Sequence, residues 1–178
     1  EKDNEKVQYV EKLRNALDDY ECEVTKMKIA SLEHAVADCF KSIIRKPKFA
    51  ESVTVDPETF ETNLYDLNGV LIPRSVLSSG EKQIFAISML WGLAKTSGRP
   101  LPVVIDTPLG RLDSEHRKNL IQNYFPQASH QVIMLSTDTE VDEELYRDLE
   151  PHLSHCYHLV YDAEAGKTMA ENNYFWKA

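Results

Sequence analysis

The chain has 178 residues, 42% of them apolar and 28% charged, with a formal net charge of -9. That length suits one domain, or one domain with an appendage, around a real core. The acidic balance argues against a generally basic surface that coats nucleic acid, and no run reaches the roughly 18 apolar residues a membrane span needs.

Cys22, Cys39 and Cys156 are odd in number and far apart, so no disulfide framework is expected and a reducing cytosol is the natural home. The opening "EKDNEKVQYVEK" reads as the middle of a helix, which suggests a fragment or one chain of something larger. From about Val7 to Ile44 the pattern is helical. Val10, Leu13, Leu17, Tyr20, Val24 and Met27 form an a/d seam; after Met27 the seam shifts phase to Leu32, Val36, Cys39 and Ile43. Periodicity alone fits a coiled coil and a long amphipathic helix equally. Lys46-Pro47 should stop the helix, and Lys41, Arg45, Lys46 and Lys48 read as its solvated basic end.

"SVTV" and "TFETNLYDLNGVLIP" give strand signals, the second a hairpin with Asn68-Gly69 supplying positive φ angles. Gly80 to about Thr96 is helical and apolar nearly all round, so it should be buried. "LPVVIDTP" and "HQVIMLSTD" look like parallel strands buried on both faces. Between them runs a helix over about 114–124. An acidic helix over about 141–149 follows, then "HCYHLVYD", the turn "AEAGKT" and a last strand near "NNYFW". The order predicts an α/β layered domain.

Three polar clusters fall at strand or helix ends: 77–83, 106–113 and 136–138. In α/β sheets ligands collect at the carboxyl ends of strands. Asp106, closing an apolar strand, could hold magnesium beside a nucleotide phosphate. Ser78, Ser79 and Gly80 at a helix start offer hydroxyls and unpaired N–H groups to an anion, or they are an ordinary N-cap. His152, His155, Cys156 and His158 invite a metal reading, but Cys156 points away from His155 and His158 and no second ligand pair with zinc spacing lies elsewhere. The aromatics Tyr157, Tyr161, Tyr174, Phe175 and Trp176 read as sheet packing.

In this order, "LSSGE" at 77–81, "VVID" at 103–106, Leu112-Asp113 and "STD" at 136–138 resemble the carboxy-terminal lobe of an ABC-type P-loop ATPase of the SMC and SbcC kind. They look like its signature motif, Walker B, D-loop and switch region. The resemblance favours the coiled-coil reading of the first helix. It implies an arm over 1–46 and a carboxy-terminal ATPase lobe over 47–178. Within that family, "LSSGEKQIFAISMLWGLAKTSGRPLPVVIDTPLGRLDSEHR" and "QVIMLSTDTEV" are similar to the DndD branch, the SMC-like ATPases of bacterial DNA phosphorothioation.

What the resemblance implies is a site for ATP and Mg2+. Asp106, Thr107 and Thr137 would be the catalytic residues, and Asp106 would hold the metal with residues of an amino-terminal lobe. Ser78, Ser79, Gly80, Glu81, Asp113 and Arg111 would be nucleotide-binding, the signature-motif residues reaching across a dimer and Arg111 a candidate to cross its interface. Implied partners are an amino-terminal ATPase lobe, a facing head in a homodimer, other phosphorothioation proteins and DNA, with no membrane. Lys82 is expected to be a plain helix-surface lysine. Thr107 stands where the family usually has glutamate, and Thr137 where it has histidine. A threonine hydroxyl is no general base near neutral pH, so slow hydrolysis is expected. Gly166-Lys167-Thr168 is not a P-loop, because Tyr161 stands where the first glycine is required. A repair ATPase partnering a nuclease and a non-hydrolysing ATP-binding module remain open beside the phosphorothioation reading.

Overall fold

The structure is a computed structural model that describes residues 2–46 and 48–175, with no side-chain account of residues 2–5. Pro47 and Trp176 lie outside the described residues. The chain divides into two compact units, Glu1–Leu101 and Pro102–Ala178.

In the first unit, α1 (Lys2–Ile43) is one helix of 42 residues, about 63 Å long at 1.5 Å per residue. The phase shift in its seam has a physical meaning. Val10, Leu13, Leu17, Tyr20 and Met27 are exposed, whereas Val36, Cys39, Phe40 and Ile43 are almost wholly buried. The helix therefore changes from a free stretch to a docked one as the apolar stripe rotates.

The docked half of α1 packs on α2 (Ser79–Thr96) and on β1 (Ser52–Val55). Phe40 meets Phe85 edge to face, with ring centroids 5.9 Å apart. Gly92 lets the helices approach closely: a Cβ there would lie 2.5 Å from Val36 Cγ2. Only part of α2 is covered. Ile84, Phe85, Ile87, Ser88 and Trp91 are buried, but Leu90 and Leu93 are exposed.

β1 pairs antiparallel with β2 (Thr62–Tyr65), which pairs antiparallel with β3 (Leu71–Ile72). The turn between β2 and β3 differs from the expected two-residue form. Asp66 Oδ1 accepts from the N–H groups of Asn68 and Val70 at 2.8 Å, and only Gly69 has positive φ. The aspartate builds a longer loop, in which the asparagine keeps ordinary backbone angles.

In the second unit, β4 (Val103–Asp106) and β5 (Val132–Leu135) are parallel and in register from Val103–Val132 to Asp106–Leu135. α3 (Ser114–Asn119) continues into a π-helical turn over Leu120–Tyr124, closed by Phe125 N–H donating to Leu120 O. That extra residue per turn seats Leu120, Ile121 and Tyr124 together in the core. α4 (Glu143–Leu149) is capped by Asp142. The hairpin of β6 (His158–Asp162) and β7 (Lys167–Glu171) ends the unit.

Two expectations fail here. The parallel strands are not buried on both faces: Ile105 is buried, but Val104 is 60% exposed and Ile133 and Leu135 also face out. A two-stranded parallel sheet carries apolar residues on both faces and has cover here for one. The last strand is also misplaced, because it is Lys167–Glu171 rather than "NNYFW". Gly166, at φ 63, turns the chain into β7, so Gly166-Lys167-Thr168 belongs to a hairpin.

Candidate functional site

The turn at Leu77–Glu81 is an N-cap of α2 with both halves of a capping box. Ser78 Oγ accepts from Glu81 N–H at 3.2 Å, and Glu81 Oε2 accepts from Ser78 N–H at 2.8 Å. Leu77 is buried and anchors the turn. The first N–H groups of a helix have no acceptor within it. Ser79 and Gly80 occupy those positions, so the turn presents backbone donors, the exposed Ser79 hydroxyl and the positive end of the α2 dipole. Lys82, one residue past the box, is exposed.

The other predicted residues gather at the carboxyl end of β4 and β5. Thr107 N–H donates to Leu135 O at 2.9 Å and extends the parallel register by one bond. Asp106-Thr107 and Ser136-Thr137 thus leave the sheet side by side. Asp106 and Thr137 are exposed, so both side chains are accessible.

Thr107 has φ 46, in the left-handed region. A β-branched residue there is strained, at a cost of about 1–3 kcal/mol. The following residues hold it in place: Pro108, Leu109 and Leu112 are buried, while Gly110 and Arg111 stay outside. Leu112 N–H donates to Leu109 O at 3.2 Å and closes the loop. Asp113 then caps α3, accepting from His116 N–H at 2.9 Å, with His116 Nδ1 also 2.9 Å from Asp113 Oδ1.

Two residues of this site escaped sequence reasoning. Tyr174, read as sheet packing, places its hydroxyl 3.2 Å from Ser136 Oγ and 3.3 Å from the carbonyls of Thr137 and Val141. Burial pushes its phenol above the ordinary range, and the Ser136 contact offsets part of that. Glu140, only 3% exposed, accepts from Leu109 N–H through Oε1. A lone glutamate two residues after "STD" carries no local signal; the buried Val141 beside it is the nearest hint.

Two of the histidine candidates lie against aromatic rings. His155 stacks on Tyr157, and His158 packs against Phe175, with ring centroids 6.1 and 4.5 Å apart. Among the described residues no group of three or more His, Cys, Asp and Glu could hold a metal ion, and no helix is long and apolar enough to cross a membrane. A cavity of about 280 Å³ opens beside β2 and β3, lined by Thr62, Leu64, Ile72, Arg74 and Phe85 among others. It contains none of the predicted site residues, and Arg74 there donates to Thr62.

No family model and no curated protein matches the chain. Solved structures do. The chain is similar over 91% of its length to 40% of the Smc head domain with an extended coiled coil bound to the C-terminal domain of ScpA from Pyrococcus furiosus, at TM-score 0.63 and 14% identity. The fold is that of part of an SMC head. An SMC head with a coiled coil and joint from Pyrococcus yayanosii matches 93% of the chain and 31% of its own length, at TM-score 0.69 and 12% identity. A structure from a study of ATP-driven dimerisation and DNA-stimulated activation of SMC ATPases matches 86% of the chain and 91% of its own, at 0.56 and 13%. The chain thus spans less than half of the first two SMC-head structures. At these identities the likeness concerns the α/β fold and the long helix that enters it.

Proposed function

We propose that this chain is the carboxy-terminal lobe of a DndD-like head, with an arm over 1–46 and the lobe over 47–178. Its ATP-dependent dimerisation would support DNA phosphorothioation in the cytoplasm. One observation carries the ATPase part: the parallel ends of β4 and β5 bring Asp106-Thr107 beside Ser136-Thr137. These are the segments that resemble Walker B and the switch region. The DndD part rests on the sequence resemblance over 77–141.

The residues fit Mg2+ and ATP as half of a site. Asp106 is an accessible carboxyl at a strand end, suited to a hard cation. Bound nucleotide would supply the phosphoanhydride to be broken and, with its metal, the charge that Asp106 balances. Ser79 and Gly80 offer N–H donors to an anion on a facing head, while Ser78 and Glu81 fix the shape of the turn. By the same resemblance Asp113 and Arg111 would also serve nucleotide and a facing head, and Arg111 is exposed. The open apolar face of Val104, Ile133 and Leu135 supports a partner lobe that packs a layer against that face of the sheet.

A second reading has its own observation. Thr107 and Thr137 provide no group to take a proton from water near neutral pH, which favours a non-hydrolysing module held together by nucleotide. Two experiments separate the readings. Steady-state turnover by the completed head, with Asp106→Ala as the blank, tests hydrolysis; a rate at the blank level favours the module. Co-purification with a sulfurtransferase supports the phosphorothioation role. Co-purification with a nuclease instead would point to a repair ATPase.

A further inference from the structure

Between the loop 107–113 and the loop 136–140 lies a connection that no motif announces. Glu140 Oε1 accepts from Leu109 N–H, and Glu140 N–H donates to Thr137 O at 3.2 Å. Arg117 adds a second bridge, donating through Nε to Leu112 O at 3.0 Å and through a terminal nitrogen to Glu140 O at 3.3 Å. One glutamate is therefore bonded to Thr137 on one side and to Leu109 on the other. One arginine holds the far end of the 109–112 turn against the backbone of that same glutamate.

The chemistry of Glu140 is not that of an ordinary core residue. Its other oxygen, Oε2, is buried with no hydrogen-bond partner among the described residues. A half-satisfied buried carboxyl group destabilises a fold relative to a hydrocarbon of equal size. What it provides here is a fixed acceptor for Leu109, in a loop whose neighbour Thr107 is already strained.

We propose that Glu140 and Arg117 form a strut through which a displacement of Thr137 moves the 107–113 loop. They are positioning residues, acting through Thr137 and the 107–113 loop. This rests on the reading above, in which Ser136-Thr137 is the switch region at the nucleotide and Arg111 and Asp113 serve the facing head; the strut links the two.

The test has two independent arms. Hydrogen exchange on the chain itself asks whether the strut exists. Glu140→Leu and Arg117→Leu should each speed exchange of the Leu109 and Leu112 amides at least about tenfold, leaving α1 and α2 unchanged. Glu140→Gln keeps an acceptor for Leu109 and should restore most of the protection. Turnover by the completed head asks what the strut does. Glu140→Leu should lower kcat about tenfold or more with KM within about twofold, and Glu140→Gln should recover most of the rate. Unchanged exchange at 109–112, or an equal rise throughout the chain, overturns the strut. Altered exchange with normal kcat in both leucine variants overturns its coupling role. Absence of turnover in the unmodified head counts against the ATPase reading instead, and the coupling is then read from ATP-induced protection of 109–112, which Glu140→Leu should abolish.

Discussion

The Tyr174 hydroxyl lies 3.3 Å from the carbonyl oxygen of Thr137, tying a residue near the end of the described chain to the loop after β5. The same hydroxyl reaches Ser136 and Val141, so one phenol organises the whole turn. Tyr174→Phe keeps the ring contacts with Tyr146 and Phe175 and removes those bonds. The expected cost is about 1 kcal/mol, seen in a urea melt, with faster amide exchange confined to 136–141.

Thr107 stores strain at the end of β4. Thr107→Gly removes the Cβ from a left-handed backbone and should stabilise the fold by about 1 kcal/mol or slightly less, since glycine is more flexible when unfolded. A lower melting temperature would mean that the threonine side chain contributes more in contacts than its backbone conformation costs.

Gly92 is required by close approach. Gly92→Ala would bring a methyl group to 2.5 Å from Val36 Cγ2 and 3.1 Å from Val36 N. Alanine gains about 1 kcal/mol in helix propensity, but forcing α1 from α2 costs about 1–3 kcal/mol, so a net loss is expected by thermal melting. Val36→Ala in the same chain should recover part of it, because the backbone contact remains.

Cys39 and Cys22 should behave oppositely towards an alkylating reagent. Burial pushes the Cys39 thiol from 9.0 to about 11, with Lys95 opposing the shift. At pH 8 Cys22, which is exposed, should label readily, and Cys39 only as the protein unfolds. The folded state holds the Cys39 proton more tightly than the unfolded one. Its contribution to stability is thus fully present below pH 9 and lost as pH rises through about 11. Cys39→Ala should flatten stability across that window, measured as the denaturant midpoint against pH.

Local signals were legible in the sequence and long-range ones were not. Ser78 and Glu81 lie three residues apart before an apolar run, so the cap of α2 could be read directly. The phase shift after Met27 marked where α1 docks. β4 and β5 were misread as doubly buried because their composition reflects both faces of the sheet, while only one is covered in this chain. Tyr174 and Glu140 could not be found at all: their partners lie 37 and 31 positions away, and no periodicity links such pairs.

The central claim is that nucleotide holds two heads together through the turn at Ser79 and Gly80. Its most direct test is the mass in solution of the head completed with its amino-terminal lobe, measured with and without ATP and Mg2+. Ser79→Arg is the control, since it leaves the Ser78–Glu81 capping box intact and fills the N-terminal face of α2. The account predicts a dimer with ATP, a monomer without it, and a monomer for Ser79→Arg in both conditions. A completed head that stays monomeric with ATP, or a Ser79→Arg head that dimerises as well as the unmodified one, would contradict it.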